Sequence, residues 1–173
     1  MPRFAPLPER RPAIVAGASS GIGEATAIEL AAHGFPVALG ARRVEKLDDI
    51  VGKINADGGE AVGFHLDVTD PNSVKSFVAQ AVDALGDIEV LVAGAGDTYF
   101  GKLAEITTDE FDSQMQIHLI GANRLATAVL PGMIDRQRGD LIFVGSDVAL
   151  RKQLTRGLDR VMTDLGLGGD ADA

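Results

Sequence analysis

The sequence of 173 residues contains no cysteine. A disulfide-stabilised scaffold and a thiolate metal site are therefore excluded, and the absence fits a reducing compartment. Positive charge is also scarce, since 16 Lys and Arg stand against 25 Asp and Glu, for a formal net charge of −9. This sign disfavours general binding of nucleic acid or of an anionic membrane surface. The unbroken apolar runs are shorter than the roughly 18 residues that a membrane span needs, so we expect no membrane partner.

What is present is typical of one globular domain, with 46% hydrophobic and 24% charged residues. The first twelve residues contain four prolines, and their arginines are followed by no apolar stretch, which excludes a secretory signal. We interpret residues 1–12 as a flexible N-terminal arm. Without export or membrane signals, the expected location is the cytoplasm.

Short apolar runs alternate with longer amphipathic stretches. Near-continuous hydrophobic strands separated by helices predict an α/β fold, a doubly wound parallel sheet of about five strands (Rossmann-like) in residues 13–150. The predicted strands are Ala13–Gly17, Pro36–Gly40, Ala61–His65, Glu89–Ala93 and Leu141–Val144. The predicted helices are Ile22–His33, Val44–Ala56, Pro71–Leu85 and Thr108–Met133.

Two helices carry more detailed predictions. Asp70 and Pro71 supply an N-cap and a first-turn proline for the third helix. In the first helix we expect the apolar side chains to face mostly inward, namely Ile22, Ala25, Ile28, Leu30 and Ala32.

The turn after the first strand is rich in glycine, with the spacing Gly17-x3-Gly21-x-Gly23. A phosphate approaches the backbone only where side chains are absent, and a helix that begins there directs free N–H groups at it. Ser19 and Ser20 add hydroxyl donors. A turn that serves packing alone remains an alternative, whereas a Walker-type loop is disfavoured because no Gly-Lys-Ser/Thr follows. The predicted dinucleotide contacts here are Gly17, Ser19, Ser20, Gly21, Ile22 and Gly23.

The second strand ends in Arg42 and Arg43, with no carboxylate before Glu45. In a dinucleotide-binding fold this end meets the adenosine ribose, where an acidic residue would favour NAD. Guanidinium groups instead form charge-assisted bonds to a 2′-phosphate. The sequence therefore predicts NADP (NADPH) in preference to NAD, although either arginine could simply be solvated at a helix start.

Taken together, these residues resemble the short-chain dehydrogenase/reductase family over roughly residues 10–150. The resemblance implies a Rossmann fold and hydride transfer between a nicotinamide and a small alcohol or carbonyl substrate. The residues that carry it are the glycine loop, Asp67-Val68, Leu91–Gly96, Ala128–Pro131 and Gly145-Ser146.

The resemblance also implies roles for single residues. Asp67 would bond the adenine amino group and Val68 would offer a backbone contact, although an Asp after a strand can equally form a turn. The segment beside the cofactor comprises Ala93, Gly94, Ala95 and Gly96, in which Ala93 and Gly94 replace two asparagines of the family pattern.

The catalytic residues are incomplete by the same resemblance. Ser146 matches the family serine, and His118 stands where the family usually has an asparagine of the proton relay, although a helical histidine can be purely structural. The family's Tyr-x3-Lys pair should follow Ser146 by about 13 residues, but Asp159 and Thr163 occupy those positions. The single tyrosine, Tyr99, is not followed by lysine at that spacing.

After about residue 150 the resemblance stops. We expect a truncated or altered C-terminal part, a sheet that is incomplete at its C-terminal edge, and an atypical helical tail over residues 151–173. A non-catalytic dinucleotide-binding module or an inactive fragment therefore remains an alternative to an NADP-dependent oxidoreductase. A homo-oligomer is a further expectation. The three histidines show no ligand spacing, so no metal site is predicted.

Overall fold

The computed structural model describes residues 9–97 and 104–145 of the chain. Five parallel strands form one sheet in the order β3-β2-β1-β4-β5. This is the predicted α/β architecture, with β1 in the centre and the crossover between its two sides beside it. The strands are β1 Ala13–Ala16, β2 Val37–Ala41, β3 Ala61–His65, β4 Val90–Ala93 and β5 Asp140–Phe143.

Helices connect the strands and cover the sheet. Their bounds are α1 Gly21–Ala32, α2 Val44–Ala56, α3 Pro71–Leu85, α4 Thr108–Met115 and α5 Gly121–Asp135. Asp70 caps α3 as predicted, because its side chain accepts from the Asn72 N–H. The predicted tail helix of residues 151–173 lies outside the described residues.

Helix α1 packs with a different face from the one that the sequence predicted. Ile22 is 70% exposed, Ile28 is 38% exposed, and Ala25 and Ala32 are exposed as well. The predicted inward face is therefore wrong except at Leu30, which is partly buried against the core. The buried residues are Gly23, Ala27 and Ala31, spaced four apart. Small residues let the helix approach the sheet closely, and this proximity decides which face is buried.

The predicted long helix consists of two α-helices joined by a π-helical segment, Gln116–Ile120. α4 buries no residue, whereas α5 buries Leu125, Val129 and Met133 in the core. Pro131 lies inside α5. By length and composition alone, the 28-residue stretch Thr108–Asp135 could also cross a membrane, a criterion that core helices satisfy as well.

The core lies on both faces of the sheet. One cluster packs α3 and α5 against residues such as Ile14 and Leu91, with Phe77 at its centre. The other packs α1 and α2 against Val15 and Leu39. Because side chains alternate along a strand, β1 contributes Ile14 to one cluster and Val15 to the other.

Candidate functional site

A cleft of about 730 Å³ opens at the carboxyl ends of β1, β2 and β4. Every residue predicted to contact a cofactor lines it except Gly21 and Ala93, which lie beside it. Six further residues line the cleft that the sequence did not predict: Ala41, Leu66, Thr69, Asp97, Ile117 and Val144.

The glycine loop is built by backbone contacts that exclude side chains. Gly17 has φ +82°, and a methyl group there would lie 2.6 Å from the carbonyl oxygen of Gly94. A methyl group at Gly23 would overlap the carbonyl of Gly17. Both positions therefore require glycine. At Gly21, by contrast, a methyl group would meet no atom within 4 Å, so the backbone there borders open space.

Helix α1 begins in this loop without a side-chain cap. Ser20 is its N-cap residue, but the Ser20 side chain makes no capping hydrogen bond. Instead the hydroxyl oxygens of Ser19 and Ser20 accept from Nη2 of Arg43, at 2.9 and 3.1 Å. The positive end of the helix dipole thus borders the cleft, where it can receive an anion such as a phosphate.

Arg42 stands beside Arg43 in different surroundings. Its side chain is exposed, and within residues 9–97 and 104–145 its guanidinium group has no hydrogen-bond or ion-pair partner. Its positive charge is one of the influences that lower the pKa of Asp67. Arg42 therefore offers all its donors to whatever enters the cleft.

The β3–α3 loop holds Asp67 in a tight turn. One carboxylate oxygen accepts from both the backbone N–H and the hydroxyl of Thr69, at 2.9 and 2.7 Å. The Thr69 hydroxyl, then its N–H, and to a smaller extent the charges of Arg42 and His65 lower the pKa of Asp67 against partial burial. Asp67 thus forms the turn that the sequence left open as an alternative, and its adenine contact stays a prediction.

His118 lies on the π-helical segment and faces the loop after β4. Its Nε2 donates to the carbonyl oxygen of Asp97 at 2.7 Å, and its ring packs on Gly96. A methyl group at Gly96 would lie 2.8 Å from Cε1 of His118. Gly94, which stands in place of an asparagine, donates its N–H to Ala16 and so links β4 to β1. Ser146, the predicted catalytic serine, lies outside the described residues.

Two of the missed lining residues had a recognisable signal. Thr69 follows Asp67 by two positions, the spacing at which an Asp side chain closes a turn. Asp97 directly follows the segment that ends at Gly96. Ile117 had none, because a π-helical turn changes which side of a helix a residue occupies. Among the described residues, no group of three or more His, Asp and Glu side chains is placed to hold a metal ion.

The sequence profile described as short chain dehydrogenase matches residues 11–157 of the chain. The chain belongs to this family. The resemblance seen in the sequence motifs is thereby confirmed, and so is the Rossmann-like fold.

Individual members of the family agree with this assignment. A glycine betaine reductase of Emericella nidulans is 39% identical over 135 residues, which cover 78% of this chain and 11% of that protein. The structure of an alcohol dehydrogenase of the archaeon Thermococcus sibiricus, complexed with 5-hydroxy-NADP, is similar with a TM-score of 0.73 and 37% identity, covering 78% of this chain and 57% of that one. The structure of a metagenomic short-chain oxidoreductase in complex with NADP is similar with a TM-score of 0.75 and 36% identity, covering 79% of this chain and 62% of that one.

The chain is shorter than these relatives. It spans between 11% and 57% of the lengths of eight curated relatives that it matches. The fold and the family are therefore established for the chain, whereas activity and substrate belong to the proposal that follows.

Proposed function

We propose that the cleft binds NADP(H) and serves an oxidoreductase that interconverts a small alcohol and its carbonyl compound. The observation that carries this proposal is that three features meet at the cleft. These are the open backbone at Gly21 beside it, the uncapped start of α1, and the two guanidinium groups of Arg42 and Arg43 that line it.

The phosphates have two separate binding places in this proposal. The pyrophosphate lies against the glycine loop, where the first N–H groups of α1 donate to its oxygens. The 2′-phosphate lies against Arg42, whose donors are free, and Arg43, which reaches the same rim from the serine hydroxyls. Two guanidinium groups favour a phosphate over a hydroxyl, so we propose a preference for NADP over NAD. The 5-hydroxy-NADP bound to one similar structure and the NADP bound to another support this assignment.

The remaining predicted contacts take the other parts of the nucleotide. Asp67 and Val68 would meet the adenine, and the segment from Ala93 through Gly94 and Ala95 to Gly96 would lie beside the nicotinamide ribose. When bound, the cofactor supplies or accepts the hydride. Ser146 would donate a hydrogen bond to the substrate oxygen, and His118 would pass a proton near neutral pH.

A second candidate is a dinucleotide-binding module without turnover. The sequence contains no Tyr-x3-Lys pair, and general acid–base help of that kind is worth on the order of 10²–10⁴-fold in rate. This observation favours binding over catalysis for the chain by itself.

Calorimetric titration with NADPH and with NADH tests the cofactor assignment. We expect tighter binding of NADPH, and an Arg42→Ala variant that loses about ten-fold in NADPH affinity while NADH affinity changes little, because a charge-assisted bond to the 2′-phosphate is lost. Lys53→Ala is the matched control, since it removes an exposed cation from α2 outside the cleft.

A preference for NADH, or an equal loss for both cofactors in Arg42→Ala, would contradict the proposed selectivity. If neither cofactor binds, the assignment of the cleft as a dinucleotide-binding site is wrong. Oxidation of NADPH with a panel of small aldehydes and ketones then separates the candidates: turnover favours the oxidoreductase, and binding without turnover favours the module.

A further inference from the structure

Arg124 connects two parts of the cleft wall that are far apart in the sequence. It lies in the second turn of α5 and is half-buried. Its Nη1 donates to the backbone carbonyl of Val68 in the β3–α3 loop, and its Nη2 donates to Oε1 of Gln116, both at 3.1 Å. Both acceptors are neutral oxygens, and one guanidinium group spans them.

The Val68 end of this bridge is tightly packed. Val68 is 6% exposed and lines the cleft beside Asp67. Gly121, the first residue of α5, lies so close that a methyl group there would be 2.7 Å from Cγ2 of Val68. The start of α5 is therefore seated on the β3–α3 loop, and the Arg124 bond fixes the carbonyl of that loop.

The Gln116 end depends on the π-helical segment. In a regular α-helix, residues eight positions apart point about 80° away from each other. Here the N–H of Gly121 donates to the carbonyl of Gln116, five residues earlier instead of four, so this turn of the helix contains one extra residue. Gln116 and Arg124 then behave as residues seven positions apart, about 20° from alignment, and their side chains meet.

The same π-helical segment carries Ile117, which lines the cleft, and His118, which donates to Asp97. We infer that Arg124 is a positioning residue that connects the His118 segment to the Asp67–Val68 loop. The distance between these two walls of the cleft is thereby fixed. The inference rests on the proposed function and deepens it, because the nucleotide would lie between these two walls.

The experiment compares Arg124→Met with Arg136→Met. Arg136, at the end of the same helix, also donates to a backbone carbonyl, that of Ile88 at 2.8 Å, but it lies at the opposite edge of the sheet. Loss of that bond should lower the stability of the protein without changing the geometry of the cleft. Two readouts are taken: the NMR chemical shifts of the His118 ring in the nucleotide-free protein at one fixed pH, assigned by their absence in His118→Asn, and the affinity for NADPH.

We expect Arg124→Met to change the His118 ring chemical shifts and to weaken NADPH binding about ten-fold, as for the loss of a hydrogen bond to a charged group. Arg136→Met should lower only the unfolding midpoint. Arg124→Lys, which can reach one oxygen but not both, should recover part of the loss. Should Arg124→Met fail to fold, Gln116→Met removes only one end of the bridge and should still change the His118 ring chemical shifts.

An Arg124→Met protein with unchanged His118 ring chemical shifts would overturn the inference, as would equal effects of Arg136→Met on both readouts. If the wild type binds no NADPH, the proposed function fails, and the His118 ring chemical shifts still decide the role of Arg124. The two failures are thus distinguishable.

Discussion

Arg42 and Arg43 are neighbours in the chain, yet they act on different things. Arg43 donates to Ser19 and Ser20 and thereby ties the end of β2 to the glycine loop. Arg42 has no such tie among the described residues and keeps its donors for the cleft. A change at Arg43 therefore disturbs the shape of the loop, whereas a change at Arg42 removes only charge and donors. This difference makes Arg42 the cleaner test of cofactor selectivity.

The turn at Asp67 makes a prediction about acid stability. Replacing Thr69 by Val removes the hydroxyl that donates to Asp67 at 2.7 Å, and we expect a loss of about 1 kcal/mol in the free energy of unfolding at neutral pH. Because the folded state lowers the pKa of Asp67, the stabilisation is present above the unfolded value near ~3.9 and is lost as the pH falls through the folded value. The difference between Thr69→Val and the wild type should therefore shrink below about pH 4.

Urea unfolding at pH 7 and at pH 3 measures this difference. Thr69→Ser retains the hydroxyl and serves as the control that should behave like the wild type. A Thr69→Val penalty of the same size at both pH values would show that the hydroxyl contributes through packing and not through the ionised carboxylate.

At the scale of the elements, the boundaries were predictable because their signals are local. Strand β3 and helices α2 and α3 have the predicted ends, and the N-cap of α3 is the predicted Asp70. The cleft was also predictable for the most part, since the carboxyl ends of neighbouring parallel strands meet at one edge of the sheet. Local roles of a residue, such as capping a helix or forming a turn, can be predicted from the residues next to it in the sequence.

The unpredicted features depend on contacts between distant segments. Hydrophobicity alone ranks Ile22 and Ile28 above Gly23 as core residues of α1, but the close approach of the helix to Gly17 allows only the smallest side chain there. The π-helical segment likewise leaves no mark in the hydrophobic pattern. Its position becomes intelligible only when Gly121 is seen seated on Val68, some fifty positions earlier in the chain.

Two glycines in helices therefore predict opposite outcomes for the same substitution. Gly23→Ala should destabilise the protein by about 1–3 kcal/mol, because the added methyl group overlaps the backbone of Gly17. Gly52→Ala, in the exposed middle of α2 with no atom within 4 Å of the added group, should stabilise it by roughly 0.5–1 kcal/mol. Thermal unfolding of both variants checks the pair, and a stable Gly23→Ala would contradict the close packing of α1.

On the scale of the whole molecule, the two edges of the sheet have different chemistry. The carboxyl edge forms the cleft, with free donors. The amino edge, in the described part of the chain, carries ion pairs that join distant segments. Glu89 before β4 accepts from Arg11 at 3.0 Å and from Arg138 at 2.8 Å, and Arg11 also pairs with Asp140 of β5 at 2.6 Å. These carboxylates, that of Asp140 first, raise the pKa of Arg11 against its partial burial.

Glu89 should therefore matter more for stability than other carboxylates of this edge. Its side chain is only 14% exposed and serves two arginines, so Glu89→Gln should lower the free energy of unfolding by about 1.5–3 kcal/mol, as for hydrogen bonds to charged groups. Asp87→Asn is the matched control. Asp87 pairs with Arg136 at 3.1 Å but is 67% exposed, and such surface pairs contribute about 0–1 kcal/mol.

Urea unfolding at low and at high salt distinguishes the two sites. The Asp87 contribution should vanish in salt, because solvent ions screen exposed charges, while most of the Glu89 contribution should remain. Neither change should alter NADPH affinity, since both residues lie at the edge opposite the cleft. Equal penalties for the two variants would contradict this prediction, because Glu89 would then contribute no more than an exposed surface pair.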